Sequence, residues 1–331
     1  MATIRVMIAL KGDVAAKQMA LEASVAPDRS KFKAAYTPTM SLGGLEIDPD
    51  FVPVPLESVG RTPMVAMSTA EAATTHIVRG EISAAKLEAL AAQDDVTVFS
   101  DPRIEGISQD GCGNAPIGNQ NDVRRLIGTA ALHAANLDGR GVAIAICDTG
   151  INEAHLTARG VNALIDKNAL WAPPGVTAQP GKYALDHGTM CAHAAKIAAP
   201  AATLIDIPLL QSTTPGGSVM AGFLSDGVSA YAFLRGLIQQ GRFPRLVVNN
   251  SWGMYKLAWD FPAGNPGRYA DNPMHPFNLA CAALARAGAD ILFAAGNCGP
   301  TCPSGKCGAN DSHTITARLA ASCRRCRAWP G

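Results

Sequence analysis

Apolar positions follow two rhythms along the 331-residue chain, and the change between them marks its organisation. Over residues 1–103, short apolar runs alternate with amphipathic stretches: "TIRVMIAL" predicts a strand and "GDVAAKQMALEASV" a helix. Beyond a proline-rich middle, "DPDFVPVPLE", the segment "THIVRGEI" predicts a strand. "SAAKLEALAAQ" follows as a helix with Ser83 as its N-cap, and "VTVFSD" as a last strand. The expectation is a small α/β domain. Residues 104–121, "IEGISQDGCGNAPIGNQN", are dense in Gly, Asn and Asp and predict an exposed linker.

From about residue 122 to 297 the rhythm becomes helix then strand, four times over. "DVRRLIGTAALHAAN" leads into "GVAIAICD", "TMCAHAAKIAA" into "ATLIDIPLL", "VSAYAFLRGLIQQ" into "RLVVNNS", and "PFNLACAALARAGA" into "ILFAAGN". Continuous apolar strands rich in Val, Ile and Leu, each preceded by an amphipathic helix, predict a parallel sheet covered on both faces. The fold class is therefore α/β, a three-layer domain over 122–317 with the smaller unit before it. The last fourteen residues, "RLAASCRRCRAWPG", carry four Arg and two Cys with neither period, and predict a tail outside the packed fold.

Composition narrows the partners. Hydrophobic residues make up 48% of the chain, enough for one large core and a smaller one, and 28 basic against 27 acidic residues give no field to attract nucleic acid or an anionic membrane. No run reaches the roughly 18 apolar residues of a membrane span. The N-terminus has only five apolar residues between Arg5 and Lys11, too few for a secretory signal, so a cytoplasmic location is expected. Of nine cysteines, five lie from Cys298 to Cys326; their spacing, with His313 nearby, fits no common zinc pattern, and free thiols or one disulfide are expected.

In open parallel sheets, reacting groups gather at the carboxyl ends of the strands. Four short motifs stand there. Asp148 ends an apolar strand and is followed by Thr149-Gly150; a carboxylate in that place has to be paired. His187 opens a helix in "DHGTMCAHAA", where the helix dipole favours the neutral ring unless a carboxylate opposes it. Ser251-Trp252-Gly253 follow the strand "VVNN" and offer open backbone and a flat side chain to an extended peptide. Asn297, after Gly296, carries an amide suited to an oxyanion. Taken singly, each is also an ordinary cap, turn or loop residue. A dinucleotide fingerprint is absent, because the glycines of "DGRGVAIAI" precede a strand rather than joining a strand to a helix.

Asp-Thr-Gly, His-Gly-Thr, Asn-Ser-x-Gly and Ala-Ala-Gly-Asn, in this order within one parallel domain, resemble the subtilisin-like serine proteases, or subtilases. The resemblance covers about residues 122–317. It implies that Asp148 orients His187, that His187 is the general base, that Asn297 is the oxyanion donor, and that Ser251, Trp252 and Gly253 line the groove for a peptide or protein substrate. It also implies that residues 1–103 are a propeptide-like intramolecular inhibitor, with a cut expected within 104–121. No cofactor is required by such chemistry; calcium enters only through the family.

The family's nucleophile motif, Gly-Thr-Ser-x-Ala, is missing. The two Gly-Thr pairs are Gly128-Thr129 and Gly188-Thr189, and Ser304, Ser312 and Ser322 lack the turn and small-residue helix that would activate them. In the family the nucleophile stands roughly 65 residues beyond the oxyanion Asn, whereas 34 follow Asn297. The expectation is a peptidase domain cut short or frame-shifted and inactive as it stands. The alternative is a non-catalytic peptide-binding or inhibitory module of the same fold.

Overall fold

The computed structural model describes residues 3–25, 36–38, 41–56, 75–106, 118–211, 220–254, 256–294 and 326–329. In the N-terminal unit, β1 (Thr3–Leu10), α1 (Val14–Val25), β2 (Glu46–Ile47), β3 (Val54–Pro55), β4 (His76–Ser83), α2 (Ala84–Ala91) and β5 (Val96–Ser100) follow in order. The sheet runs β2-β4-β1-β5, with β3 also on β4, and every pairing is antiparallel. Asp13 caps α1 by accepting from the Ala16 N–H at 3.0 Å. Ser83 does stand at the N-cap of α2, but its hydroxyl makes no capping bond.

Strand β1 is buried on both faces, which is why it reads as a continuous apolar run. Val6, Ile8 and Leu10 pack with Ala16, Val78, Ile82 and Leu90 in the unit's own core. Met7 and Ala9, on the opposite face by the two-residue period of a strand, join the large core shared with the rest of the chain.

The remaining elements are β6 (Arg103–Gly106), α3 (Gln120–Leu126), α4 (Thr129–Ala134), β7 (Ala143–Cys147), α5 (Glu153–Ala158), α6 (His187–Ala198), β8 (Thr203–Ile207), β9 (Ala221–Phe223), α7 (Leu224–Gln239), β10 (Leu246–Asn250), β11 (Trp252–Gly253), α8 (Pro276–Arg286), β12 (Ala289–Ala294) and β13 (Cys326–Trp329). The main sheet has the order β13-β12-β10-β7-β8 and is parallel throughout. Alternation along β7 divides its side chains between two cores. Ala143, Ala145 and Cys147 face the cluster containing α7 and α8, while Ile144 and Ile146 face the cluster containing Ala192 of α6. Helices thus cover both faces, giving the expected three layers. Among the described residues no helix is long and apolar enough to cross a membrane.

Three expectations are corrected. The helix expected over 122–136 is two short helices, broken at Gly128, whose φ of 68° is a left-handed conformation that a helix interior does not adopt. The linker expected over 104–121 is not exposed where it begins: Ile104 has no accessible surface, and β6 pairs antiparallel with both β9 and β11; residues 107–117 lie outside the described residues. The tail does contribute to the fold, since the backbone of β13 pairs in parallel with β12. Edge pairing is a backbone interaction, so an apolar period in the tail is not needed for it.

A buried ionic network joins the two units. The Arg79 guanidinium on β4 contacts Asp226 on α7, donates to Asp48 at 2.8 Å and to the Ser225 hydroxyl at 3.1 Å. Asp101 accepts from the Ser225 N–H at 2.8 Å, in the first turn of α7, where a carboxylate also meets the favourable end of the helix dipole. Asp226 has no exposed surface, so removing its cation leaves an uncompensated charge in the core. Arg79→Ala is expected to lower the unfolding free energy by about 3–5 kcal/mol; a shift in the urea midpoint measures it, and an unchanged midpoint contradicts this account of the network.

Candidate active site

The site is assembled where β7 and α6 meet, and glycines set how closely they approach. The turn after β7 passes through Gly150 at φ 92°, where a Cβ would lie 2.4 Å from the Tyr183 ring. Across from it, a Cβ on Gly188 would lie 2.5 Å from the Gly150 carbonyl oxygen, so the first turn of α6 rests directly on the Asp148 turn. Two threonines bond the motifs to each other. Thr149 Oγ1 accepts from the Gly188 N–H at 2.9 Å, and Thr189 Oγ1 accepts from the Asn152 N–H at 3.0 Å. Asp186 caps α6 by accepting from the His187 N–H at 2.7 Å.

This packing brings together two of the residues singled out in the sequence. His187 Nδ1 lies 2.9 and 3.0 Å from the two Asp148 carboxylate oxygens, and Asp148 is fully buried while 13% of the His187 side chain is exposed. Asp148 also accepts from the Thr149 N–H at 2.8 Å. Burial opposes a charge on His187, yet the hydrogen bonds to Asp148 and Cys191 outweigh it and push the imidazole up to about 10. The carboxylate therefore prevails over the helix dipole. With Nδ1 held by Asp148, Nε2 is the nitrogen left to exchange a proton with a reacting group.

Cys191, one turn along α6, donates to Asp148 Oδ2 at 3.6 Å and lies 3.7 Å from His187 Nδ1. Cys147 is fully buried and burial pushes its thiol up, whereas Cys191 is partly exposed. Asp148, His187 and Cys191 are the one group of three possible metal ligands among the described residues.

A short three-stranded sheet, in the order β11-β6-β9, lies beside this pair. Asn250 at the end of β10 pairs with Cys147, the residue before Asp148, and β11 begins two residues later. Trp252 pairs with Gly106 and Gly253 with Glu105, while Arg103, Ile104 and Glu105 pair with Phe223, Gly222 and Ala221. The Gly106 N–H also donates to the Met220 carbonyl at 2.8 Å.

Trp252 contributes backbone only. Its indole is fully buried against Phe277 and Phe293, with ring centroids 5.6 Å apart in both cases, rather than open to a peptide. Ser251 accepts from the Asn249 side-chain amide at 3.2 Å, and Asn250 donates its own to the Leu292 carbonyl at 3.0 Å. Asn297 lies outside the described residues.

Sequence reasoning passed over Asp206, although a lone acid in the apolar strand "TLIDI" was a signal. Oδ2 of Asp206 accepts from the Ile151 N–H at 3.2 Å and the Gly181 N–H at 2.8 Å, tying the turn after Asp148 to the loop before His187. Its Oδ1 is buried without a hydrogen-bond partner.

The molecule thus combines a parallel three-layer α/β fold, an acid–histidine pair at its strand ends and a short antiparallel sheet formed by β11, β6 and β9. The chain belongs to the subtilase family, whose sequence profile matches residues 139–319, more than half of its length. Among solved structures it is similar to fervidolysin from Fervidobacterium pennivorans, a keratinolytic enzyme related to subtilisin, at 14% identity and a TM-score of 0.45 over 95% of this chain. It is similar also to the epidermin leader peptide processing serine protease of Staphylococcus aureus, at 12% identity and a TM-score of 0.47 over 90% of this chain. The chain spans 41% of the first and 61% of the second. No curated protein matches it.

Burial pushes the Asp206 carboxyl up to about 7, against the two backbone N–H groups that favour its charged form. An unfolded aspartate titrates near 3.9. Folding therefore takes up a proton between about pH 4 and 7, and this residue's contribution to stability, full below about pH 4, is lost as pH rises through about 7. Asp206→Asn is expected to flatten the pH dependence of the thermal midpoint over that window. A slope identical to that of the parent chain contradicts this.

Proposed function

We propose that the chain is a serine-type endopeptidase domain of its family in which the acid–base half of the site is assembled, and that these 331 residues, which carry no nucleophile motif, do not hydrolyse peptide bonds by themselves. Asp148 orients His187 and balances its charge, and His187 exchanges a proton through Nε2. Asn297 serves as oxyanion donor, and Ser251, Trp252 and Gly253 receive substrate through backbone hydrogen bonds. The observation that carries this reading is β6, an antiparallel strand added between β11 and β9 beside the Asp148–His187 pair. Strand addition draws affinity from main-chain hydrogen bonds and selectivity from alternate side chains. Ile104, fully buried, acts as the apolar anchor.

On this reading residues 1–103 are an intramolecular inhibitor whose own chain fills the groove, and processing within 104–121 falls beyond Gly106. The absence of Gly-Thr-Ser-x-Ala from these 331 residues supports the claim of inactivity. A triad without its serine keeps only the binding and oxyanion contributions. A second reading, a non-catalytic peptide-binding or inhibitory module, is favoured by the same occupied groove. Neither reading requires calcium.

Incubating the full chain with a fluorophosphonate probe and with casein tests the assignment. No labelled serine and no hydrolysis are expected. Labelling of any serine overturns the claim that the nucleophile is lacking, and binding of an added peptide without cleavage favours the second reading.

A further inference from the structure

The acid–base pair leaves the Cys191 thiol without a role, although it lies against both partners. The distances among His187 Nδ1, Asp148 Oδ2 and Cys191 Sγ are 2.9, 3.6 and 3.7 Å. A triangle with these edges has a centre about 2.0 Å from every corner, the length of a zinc bond to nitrogen or oxygen; a cation slightly out of the plane gains the longer bond, about 2.3 Å, that sulfur prefers. The donor set of thiolate, imidazole and carboxylate suits zinc and other borderline to soft divalent cations, whereas calcium and magnesium favour oxygen alone.

We propose that Asp148, His187 and Cys191 form a zinc-binding site, in which the cation replaces the His187–Asp148 hydrogen bond and takes the base out of service. Zinc takes the place of two protons, one leaving Sγ and one leaving Nδ1 of the imidazolium, while Nε2 keeps its own. Two positive charges arrive and two depart, so the net charge beside the buried Asp148 is unchanged. Partial exposure of His187 and Cys191 gives the cation a way in and leaves room for water as a fourth ligand. Coordination rests on these three side chains alone; only its inhibitory consequence rests on the peptidase reading.

The chain has nine cysteines, and a bulk metal measurement does not say which of them is involved, so the test reads Cys191 itself. Full-length protein is treated with iodoacetamide, with and without zinc chloride, and carbamidomethylation of the Cys191 peptide is followed by mass spectrometry. Zinc at ten times its dissociation constant is expected to slow modification about tenfold; calcium at the same concentration leaves the rate unchanged. His187→Gln and Asp148→Asn are each expected to weaken the protection. Equal rates with and without zinc in the parent chain, a comparison that needs no variant, overturn the proposal, as does full protection retained in both variants. The result is independent of serine labelling, so failure of this site and failure of the peptidase reading are told apart.

Discussion

A carboxylate with no exposed surface governs the centre of this molecule. Asp148 stands at the end of an apolar strand, and leaving its charge unpaired there costs several kcal/mol or more. The Thr149 N–H, His187 Nδ1 and the Cys191 thiol together satisfy it. Each of these partners has to be brought within bonding distance, and that requirement sets the local architecture. Gly150 and Gly188 remove the Cβ atoms that would hold α6 away, and the reciprocal threonine bonds fix its register against the turn. The chemistry available to His187 follows from the same contact, because one ring nitrogen is committed and the other is not.

Two-sided burial extends this logic outward. The parallel sheet is covered on both faces, and so is β1 of the N-terminal unit, one face of which is completed only by the larger core. Charges inside such an interface must be matched, as Arg79 is matched by Asp48 and Asp226. Asp101 bonds the first turn of α7, and after Pro102 the residues Arg103–Gly106 pair between β11 and β9. Docking of the N-terminal unit and insertion of β6 between β11 and β9 are thus consecutive parts of one stretch of chain, and an interaction that secures the first delivers the second.

The main sheet and the pair at its edge were legible because they rest on strong local signals: unbroken apolar strands, an acid at a strand end, a histidine at a helix start, and glycines in both motifs. What was not legible depends on long-range pairing. Residues 103–106 and 221–223 are short, contain glycine and lack a strand period, and backbone pairing with each other, and of 103–106 with β11, makes them strands. Trp252 was read as a groove wall because a strand end suggests exposure, whereas the aromatic cluster of Phe277 and Phe293 draws its indole inward. Asp206 was overlooked because its partners are backbone N–H groups that no residue type advertises. Gly128 lay inside a plausible helical period, and its left-handed φ decided otherwise.

The central claim is that the chain's own strand fills the groove beside Asp148 and His187. Native-state amide exchange on the full-length protein tests it most directly, through the Gly106 N–H that donates to the Met220 carbonyl. Protection of that amide by about a hundredfold or more over an unstructured peptide is predicted, together with protection in β11. Exchange of Gly106 at the unstructured rate, while β10 and β12 stay protected, would contradict the account.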